Sequence, residues 1–154
     1  MPEPTITERL QTEMVRAMKE KDADSLSTIR MLKAALMEAK TAKPKDSVLS
    51  EAEEIEILQR YVKKRRETIE MNNQIGKSEL NAAEEREIAV TQRFLPQLLS
   101  EDQVAAIVKE AVASTGAAGP KDMGKVIGAV MAKVAKGTVE GSTVSRLVKA
   151  ALGG

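Results

Sequence analysis

The chain has 154 residues, 42% of them hydrophobic, and a formal net charge of +1 at pH 7. It contains no cysteine and no histidine, which excludes disulfides, thiolate zinc sites and both Ser-His-Asp and Cys-His catalysis. A net charge near zero supplies no global attraction to a polyanion, so nucleic acid would have to be bound by a local patch. Only carboxylate, lysine or serine chemistry remains open to the chain.

The N-terminal segment and the distribution of apolar residues predict the cellular location of the protein. The N-terminal segment carries Glu3 and Glu8 without an apolar run, and nowhere do about 18 consecutive apolar residues occur. We therefore expect a cytoplasmic protein with no membrane partner. Tyr61 and Phe94 are the only aromatic residues, so aliphatic side chains and methionine must fill the core, a composition that favours helices.

Four helices are predicted in the first part of the chain. A Ser or Thr followed three residues later by Glu satisfies free backbone amides, and this pattern marks helix starts at Thr5 and Ser50. Apolar residues then recur at helical spacing in each segment. The first helix ends at about Lys21, the second precedes a loop around Pro44, and the third ends before a fourth that begins at about Ser78.

Three shorter helices are predicted in the remainder. Another capping pattern begins at Ser100, and Gly116 is placed to end that helix. A further helix is expected at about residues 121–136 and the last at 143–152, with glycines at the turn between them.

These elements predict an all-α protein with two domains. Pro96 must stop the fourth helix because proline cannot donate a hydrogen bond inside one. We therefore expect an N-terminal domain of about four helices in residues 1–96 and a small three-helix domain in residues 97–154. No stretch alternates apolar and polar residues for long enough to predict a strand.

The most informative segment is residues 119–131, GPKDMGKVIGAVM, because Gly124 and Gly128 fall inside a predicted helix. Each glycine costs roughly 1 kcal/mol relative to alanine there, so something must compensate. A helical wheel drawn at about 100° per residue divides the side chains of this segment into three groups. It places Met123, Ile127, Val130 and Val134 toward the core, Gly124, Gly128 and Ala135 beside them, and Lys121, Lys125 and Lys136 beyond the glycines.

Two interpretations of these glycines stay open. Nearly bare backbone bordered by ammonium groups would let a phosphodiester chain approach closely, and the helix N-terminus offers free amides to an anion. Alternatively, the glycines only admit a neighbouring helix at close range, and the lysines are ordinary solvated charges.

Three other clusters have simpler interpretations. The basic run at residues 63–66 resembles a nucleic-acid motif, but four consecutive helix positions cannot form one face, which favours a solvated helix end. The acidic residues at 51–56 match no calcium-binding loop, so no metal is expected. The methionines suit a core without aromatic residues, although they could also form an adaptable peptide-binding surface.

The chain resembles the YqeY family over nearly its whole length. The most specific match is Lys-Asp-Met-Gly-Lys-Val at residues 121–126 with Gly128, followed by the turn through Gly137 and Gly141. Weaker matches lie at residues 29–32 and 94–100. Two positions depart from the pattern: phenylalanine occupies position 94, where the family often has tyrosine, and alanine occupies position 132, where proline is frequent.

The YqeY fold recurs as the C-terminal tail of the GatB subunit of the aspartyl/glutamyl-tRNA amidotransferase, where it is thought to contact tRNA. The resemblance therefore implies a non-catalytic tRNA- or RNA-binding module without cofactor or metal. The family name is linked to glutamine-dependent carbon-nitrogen ligase activity, but GatB's catalytic portion and the amidase signature are absent. A helical adaptor for a protein partner is the alternative. The predicted RNA-binding residues are Lys121, Gly124, Lys125, Gly128, Lys133, Lys136, Arg146 and Lys149.

Overall fold

The structure is a computed structural model that describes residues 2–153. Over this range it contains seven α-helices, two short 3-10 helices and no strand, which confirms the all-α prediction. The α-helices are α1 (Ile6–Lys19), α2 (Ala23–Thr41), α3 (Glu51–Gln74), α4 (Ala82–Gln92), α5 (Glu101–Thr115), α6 (Met123–Lys133) and α7 (Gly141–Ala151). The 3-10 helices are Ser78–Asn81 and Pro120–Asp122.

The predicted capping boxes determine where three helices begin. All three are present: Thr5 with Glu8 at α1, Ser50 with Glu53 at α3, and Ser100 with Gln103 at α5. In each, the hydroxyl accepts from a backbone N–H of the first turn, and the longer side chain accepts from the N–H of the capping residue. Gly116 ends α5 with φ of 69°, the left-handed conformation that favours glycine.

The fourth helix begins later than predicted. Residues Ser78–Asn81 form a 3-10 turn, and the α-helix starts at Ala82. The cause is Asn81, which is buried and exchanges 2.9 Å hydrogen bonds with Asn72 and Asn73 at the end of α3. Holding this side chain against α3 fixes the turn before α4 can begin.

The sixth helix is shorter at both ends than predicted. It begins at Met123 after a 3-10 turn and ends at Lys133, where Val134 adopts an extended conformation. Lys136 therefore lies outside the helix, in a turn that passes through Gly137 with φ of 87°. This turn brings Val139 into the buried core of the same unit, which a continued helix would not allow.

The contacts divide the chain into two compact units, residues up to Pro96 and residues from Gln97. In the first unit, α1 packs on α2, and α4 packs on α2 and α3. Its core is aliphatic apart from two aromatic rings: the most deeply buried side chains are Leu10, Ala17, Ile29, Leu32, Leu36, Leu58, Val62 and Phe94.

Two charged side chains satisfy helix ends in the first unit. The carboxylate of Glu54, which is buried, accepts from the backbone N–H and the hydroxyl of Thr7 at 2.9 and 2.7 Å. Arg9 donates to the backbone carbonyls of Arg93 and Phe94 at 2.8 and 3.3 Å. Because helix termini leave amides and carbonyls unpaired, these bonds stabilise the start of α1 and the end of α4.

The basic run on α3 is not uniformly solvated. Arg65 is only 19% exposed, and its guanidinium lies 3.8 Å from the centroid of the Tyr61 ring. Its Nε is 3.7 Å from a carboxylate oxygen of Glu87. The Tyr61 hydroxyl donates to the same carboxylate at 2.9 Å. Arg65 is thus a structural link between α3 and α4.

We predict that Tyr61 makes stability fall at alkaline pH. Burial, reinforced by the bond to Glu87, raises the pKa of Tyr61 to about 12, against about 10 in an unfolded chain. Folding therefore favours the neutral phenol, and its stabilisation is complete below pH ~10 and lost as pH rises toward ~12. The effect is of the order of 2 kcal/mol, since one pKa unit is about 1.4 kcal/mol. Urea unfolding at several pH values, compared with Tyr61→Phe, measures it; equal slopes for both proteins would contradict it.

Candidate nucleic-acid interface

The second unit is a three-helix core from which the candidate surface projects. α5, α6 and α7 pack on one another around a cluster of small aliphatic side chains: Val104, Val108, Ala111, Val126, Val130, Val139, Val144 and Val148. On α6 the fully buried residues are Val126 and Val130, whereas Met123 and Ile127 are partly buried. The inward face is therefore centred on Val126, which the helical-wheel prediction had not placed in the core.

Part of the outward face of α6 carries no large side chain. Gly124 and Gly128 are exposed, and a Cβ built on either would have no neighbouring heavy atom of the described chain within 4 Å. Ala132, four residues further along, is also exposed. We call these three residues the glycine strip. Within residues 2–153 no helix packs on it, so close helix packing inside the unit does not explain the glycines.

Two predicted lysines border the glycine strip. Lys121 lies in the 3-10 turn that leads into α6, and Lys125 is in the first turns of the helix. Both are exposed, and neither has a hydrogen-bonding or ionic partner among residues 2–153. Helical spacing places Lys121, Gly124, Lys125 and Gly128 within about two turns of each other. The ammonium groups of Lys121 and Lys125 are thus available to an anion that lies near the bare backbone of the glycines.

The other predicted cations are in different situations. Lys133 donates to Glu110 at 2.7 Å, which lowers the pKa of that carboxyl. Arg146 forms an ion pair with Glu101. Both pairs are exposed, and such pairs contribute little stability, so a phosphate could replace either carboxylate. Lys136 is exposed beyond the end of α6.

Lys149 lies in the last turn of α7 and is exposed. Like Lys121 and Lys125, it has no partner in the part of the chain that the structure describes. The structure therefore groups Gly124, Lys125 and Gly128 on α6 with Lys121 in the turn before it, and leaves Lys149 on α7.

The helical-wheel prediction omits two residues of this surface. Met131 is 45% exposed at the edge of the glycine strip, and Ala132 extends the strip by a further turn. The signal was present in the spacing, because Gly124, Gly128 and Ala132 are successive members of a four-residue series. Ala135, which the wheel had placed beside the glycines, lies beyond the end of α6.

The described residues also bear on other kinds of site. No group of three or more acidic side chains in residues 2–153 is arranged to hold a metal ion. None of the helices in this range is both long enough and apolar enough to cross a membrane. What α6 and the turn before it offer chemically is two exposed ammonium groups, unpaired within the described chain, beside exposed glycine backbone.

The fold and this surface define an all-helical protein with a compact three-helix unit that exposes lysines beside glycines. The family model described as Yqey-like protein matches residues 7–152. The chain therefore belongs to the YqeY family, as the resemblance predicted. A relative from Pyrenophora tritici-repentis (strain Pt-1C-BFP), altered inheritance of mitochondria protein 41, mitochondrial, is 26% identical over 155 residues. The match covers 99% of this chain and 83% of the relative, whose name assigns that relative to mitochondria.

Proposed function

We propose that this protein is a non-catalytic RNA-binding accessory module that contacts tRNA through α6. The observation that carries the proposal is the exposed glycine strip beside two unpartnered lysines. Gly128, in the interior of α6, costs the helix roughly 1 kcal/mol relative to alanine, and no residue described within the chain uses the space that Gly124 and Gly128 leave. A ligand that needs close access to the backbone supplies a reason for them.

The expected mode of recognition is contact with phosphates and with duplex shape. Tyr61 and Phe94 are both buried, so neither ring offers a platform on which single-stranded bases can stack. Lysines bind phosphate as point charges and do not read sequence. The proposal therefore concerns the backbone of an RNA stem.

The proposal assigns separate roles to the two parts of the chain. Residues 97–154 form the RNA-binding domain, and residues 1–96 form a separate helical domain. Carbon-nitrogen ligase chemistry, which the family name suggests, would require a nucleophile and base from other subunits. A cytoplasmic location stays a prediction, and the name of the relative makes mitochondria the other compartment to test.

Salt dependence tests the proposal directly. Each neutralised phosphate contributes about −0.7 to −0.9 to the slope of log affinity against log salt concentration. Contacts from Lys121 and Lys125 alone therefore predict a slope of about −1.4 or steeper for labelled tRNA and the full chain. Fluorescence anisotropy between 50 and 200 mM salt, about the range over which such effects are large, measures it. A flat dependence would contradict an electrostatic RNA contact.

A protein-interaction adaptor is the second candidate, and the exposure of Met131 beside the glycine strip favours it. Small residues admit a partner helix at close range, and methionine adapts to irregular apolar surfaces. Binding would then depend little on salt. Gly128→Leu would prevent it, whereas charge reversal at Lys121 and Lys125 would leave it nearly unchanged.

A further inference from the structure

A second exposed surface lies in the N-terminal unit, at the far end of α3. Three large apolar side chains are exposed there: Met71 by 62%, Ile75 by 60% and Leu80 by 55%. Met71 and Ile75 are four residues apart, so they are neighbours on the helix surface. Leu80 lies in the 3-10 turn that the Asn72–Asn81 hydrogen bond holds against the last turns of α3. We call these three residues the α3 apolar patch.

Three unpaired carboxylates lie in the same segment of the chain as this patch. Glu67, Glu70 and Glu79 are exposed, and none has a hydrogen-bonding or ionic partner among residues 2–153. Lys77 is the cation of the same segment, between residues 67 and 80. The basic run at 63–66 lies nearer the middle of α3. The last turn of α3 contains no basic residue, so the negative end of the helix dipole adds to the acidic character.

Several other carboxylates of the unit have cationic partners. Glu20 bonds to Arg16, Glu56 to Arg60, and Glu53 to Lys43. The α3 apolar patch therefore combines two features that an isolated surface does not favour, exposed apolar area and an excess of negative charge. Both would be satisfied by an apolar face flanked by cations.

We propose that the α3 apolar patch docks a cationic amphipathic helix of a partner protein. Leucine-like side chains of that helix pack on Met71, Ile75 and Leu80, since flexible methionine adapts to such contacts. Lysines or arginines at its edges pair with Glu67, Glu70 and Glu79. RNA is not the expected occupant, because its phosphates would be repelled by these carboxylates. This surface is independent of the RNA contact proposed on α6.

The test uses the full chain and a labelled 18-residue helical peptide with leucine on one face and lysine on the other. A second peptide carries glutamate in place of lysine. We expect saturable binding of the lysine peptide and at least ten-fold weaker binding of the glutamate peptide. Met71→Ser/Leu80→Ser and Glu67→Lys/Glu70→Lys should each weaken binding of the lysine peptide at least ten-fold. The matched control Glu3→Lys/Glu38→Lys makes the same change in net charge at exposed positions elsewhere and should bind as the unaltered chain does.

Specific outcomes overturn the inference. If the control variant loses as much affinity as Glu67→Lys/Glu70→Lys, the peptide responds only to net charge. If the serine variant binds normally, the apolar side chains are not the docking surface. If the patch variants weaken tRNA binding but not peptide binding, the surface belongs to the RNA contact instead. Because all substituted residues are exposed, unchanged helical circular dichroism and melting temperature are expected and confirm that each variant is folded.

Discussion

Replacing Lys121 and Lys125 with glutamate should remove most of the affinity for tRNA. Both ammonium groups are exposed and without partners in the described chain, so the substitution breaks no intramolecular ion pair. Loss of a hydrogen bond to a charged group costs about 1.5–3 kcal/mol, and 1.4 kcal/mol is a factor of about ten in affinity. The double variant should therefore bind labelled tRNA at least ten-fold more weakly at low salt. Its log-log salt slope should also be shallower by about 1.4 to 1.8.

The matched control for this variant is Lys45→Glu/Lys64→Glu. These lysines are also exposed and without recorded side-chain partners in residues 2–153, and the change in net charge is the same. The control should keep its salt slope and most of its affinity. Equal losses in the two variants would mean that tRNA responds to total charge and would remove the assignment to α6.

Gly128→Ala should stabilise the protein and weaken its binding to tRNA. A Cβ at this position meets open space, and the position lies inside α6. Alanine is therefore expected to raise the free energy of unfolding by about 1 kcal/mol, through helix propensity and a more restricted unfolded chain. Gly124→Ala should act in the same direction but by less, because Gly124 is the second residue of α6 and helix propensity counts fully only in a helix interior. Urea unfolding measures the gain.

The effect on RNA should have the opposite sign. If a phosphodiester chain lies against the glycine strip, added methyl groups keep it from the backbone, and Gly128→Leu should weaken tRNA binding more than Gly128→Ala. Ala105→Gly, at an exposed interior position of α5, calibrates helix propensity in the same unit without altering the strip. If the leucine variant binds tRNA normally, the glycine strip has no role in RNA contact, whatever the role of the lysines.

These two experiments distinguish ligand binding from simple tolerance of glycine. A glycine that no neighbouring residue requires lowers the stability of the helix. If alanine in its place stabilises α6 and leaves tRNA binding unchanged, the glycine strip has no role in binding. Stabilisation coupled to loss of RNA contact is the pattern expected of a functional surface. The lysine variant tests charge, and the glycine variants test access to the backbone.

Local chemistry was sufficient to predict most of the helical architecture. The capping boxes at Thr5, Ser50 and Ser100 and the left-handed Gly116 require only residues within one turn of each helix end, so their pattern is readable in the chain itself. The same applies to the lack of strands in the described range, because apolar residues that recur at spacings of both three and four cannot all lie on one face of a strand, whose period is two.

Long-range contacts decided what local patterns could not. Asn81 delays α4 through bonds to Asn72 and Asn73, and the requirement to bury Val139 ends α6 before Lys136. The residues in each of these contacts lie more than one helical turn apart in the chain. The periodicity of a single helix therefore could not predict either contact.

For the candidate surface, the sequence by itself determined which residues share α6 and that glycines lie beside lysines. It left open whether the glycines face a helix or solvent, because both arrangements fit the same spacing. Only the packing of α5 and α7 against Val126 and Val130 decided that Gly124 and Gly128 point outward. Tertiary structure likewise decided which cations are engaged, since Lys133 and Arg146 meet carboxylates on α5, a helix too distant along the chain for spacing to connect.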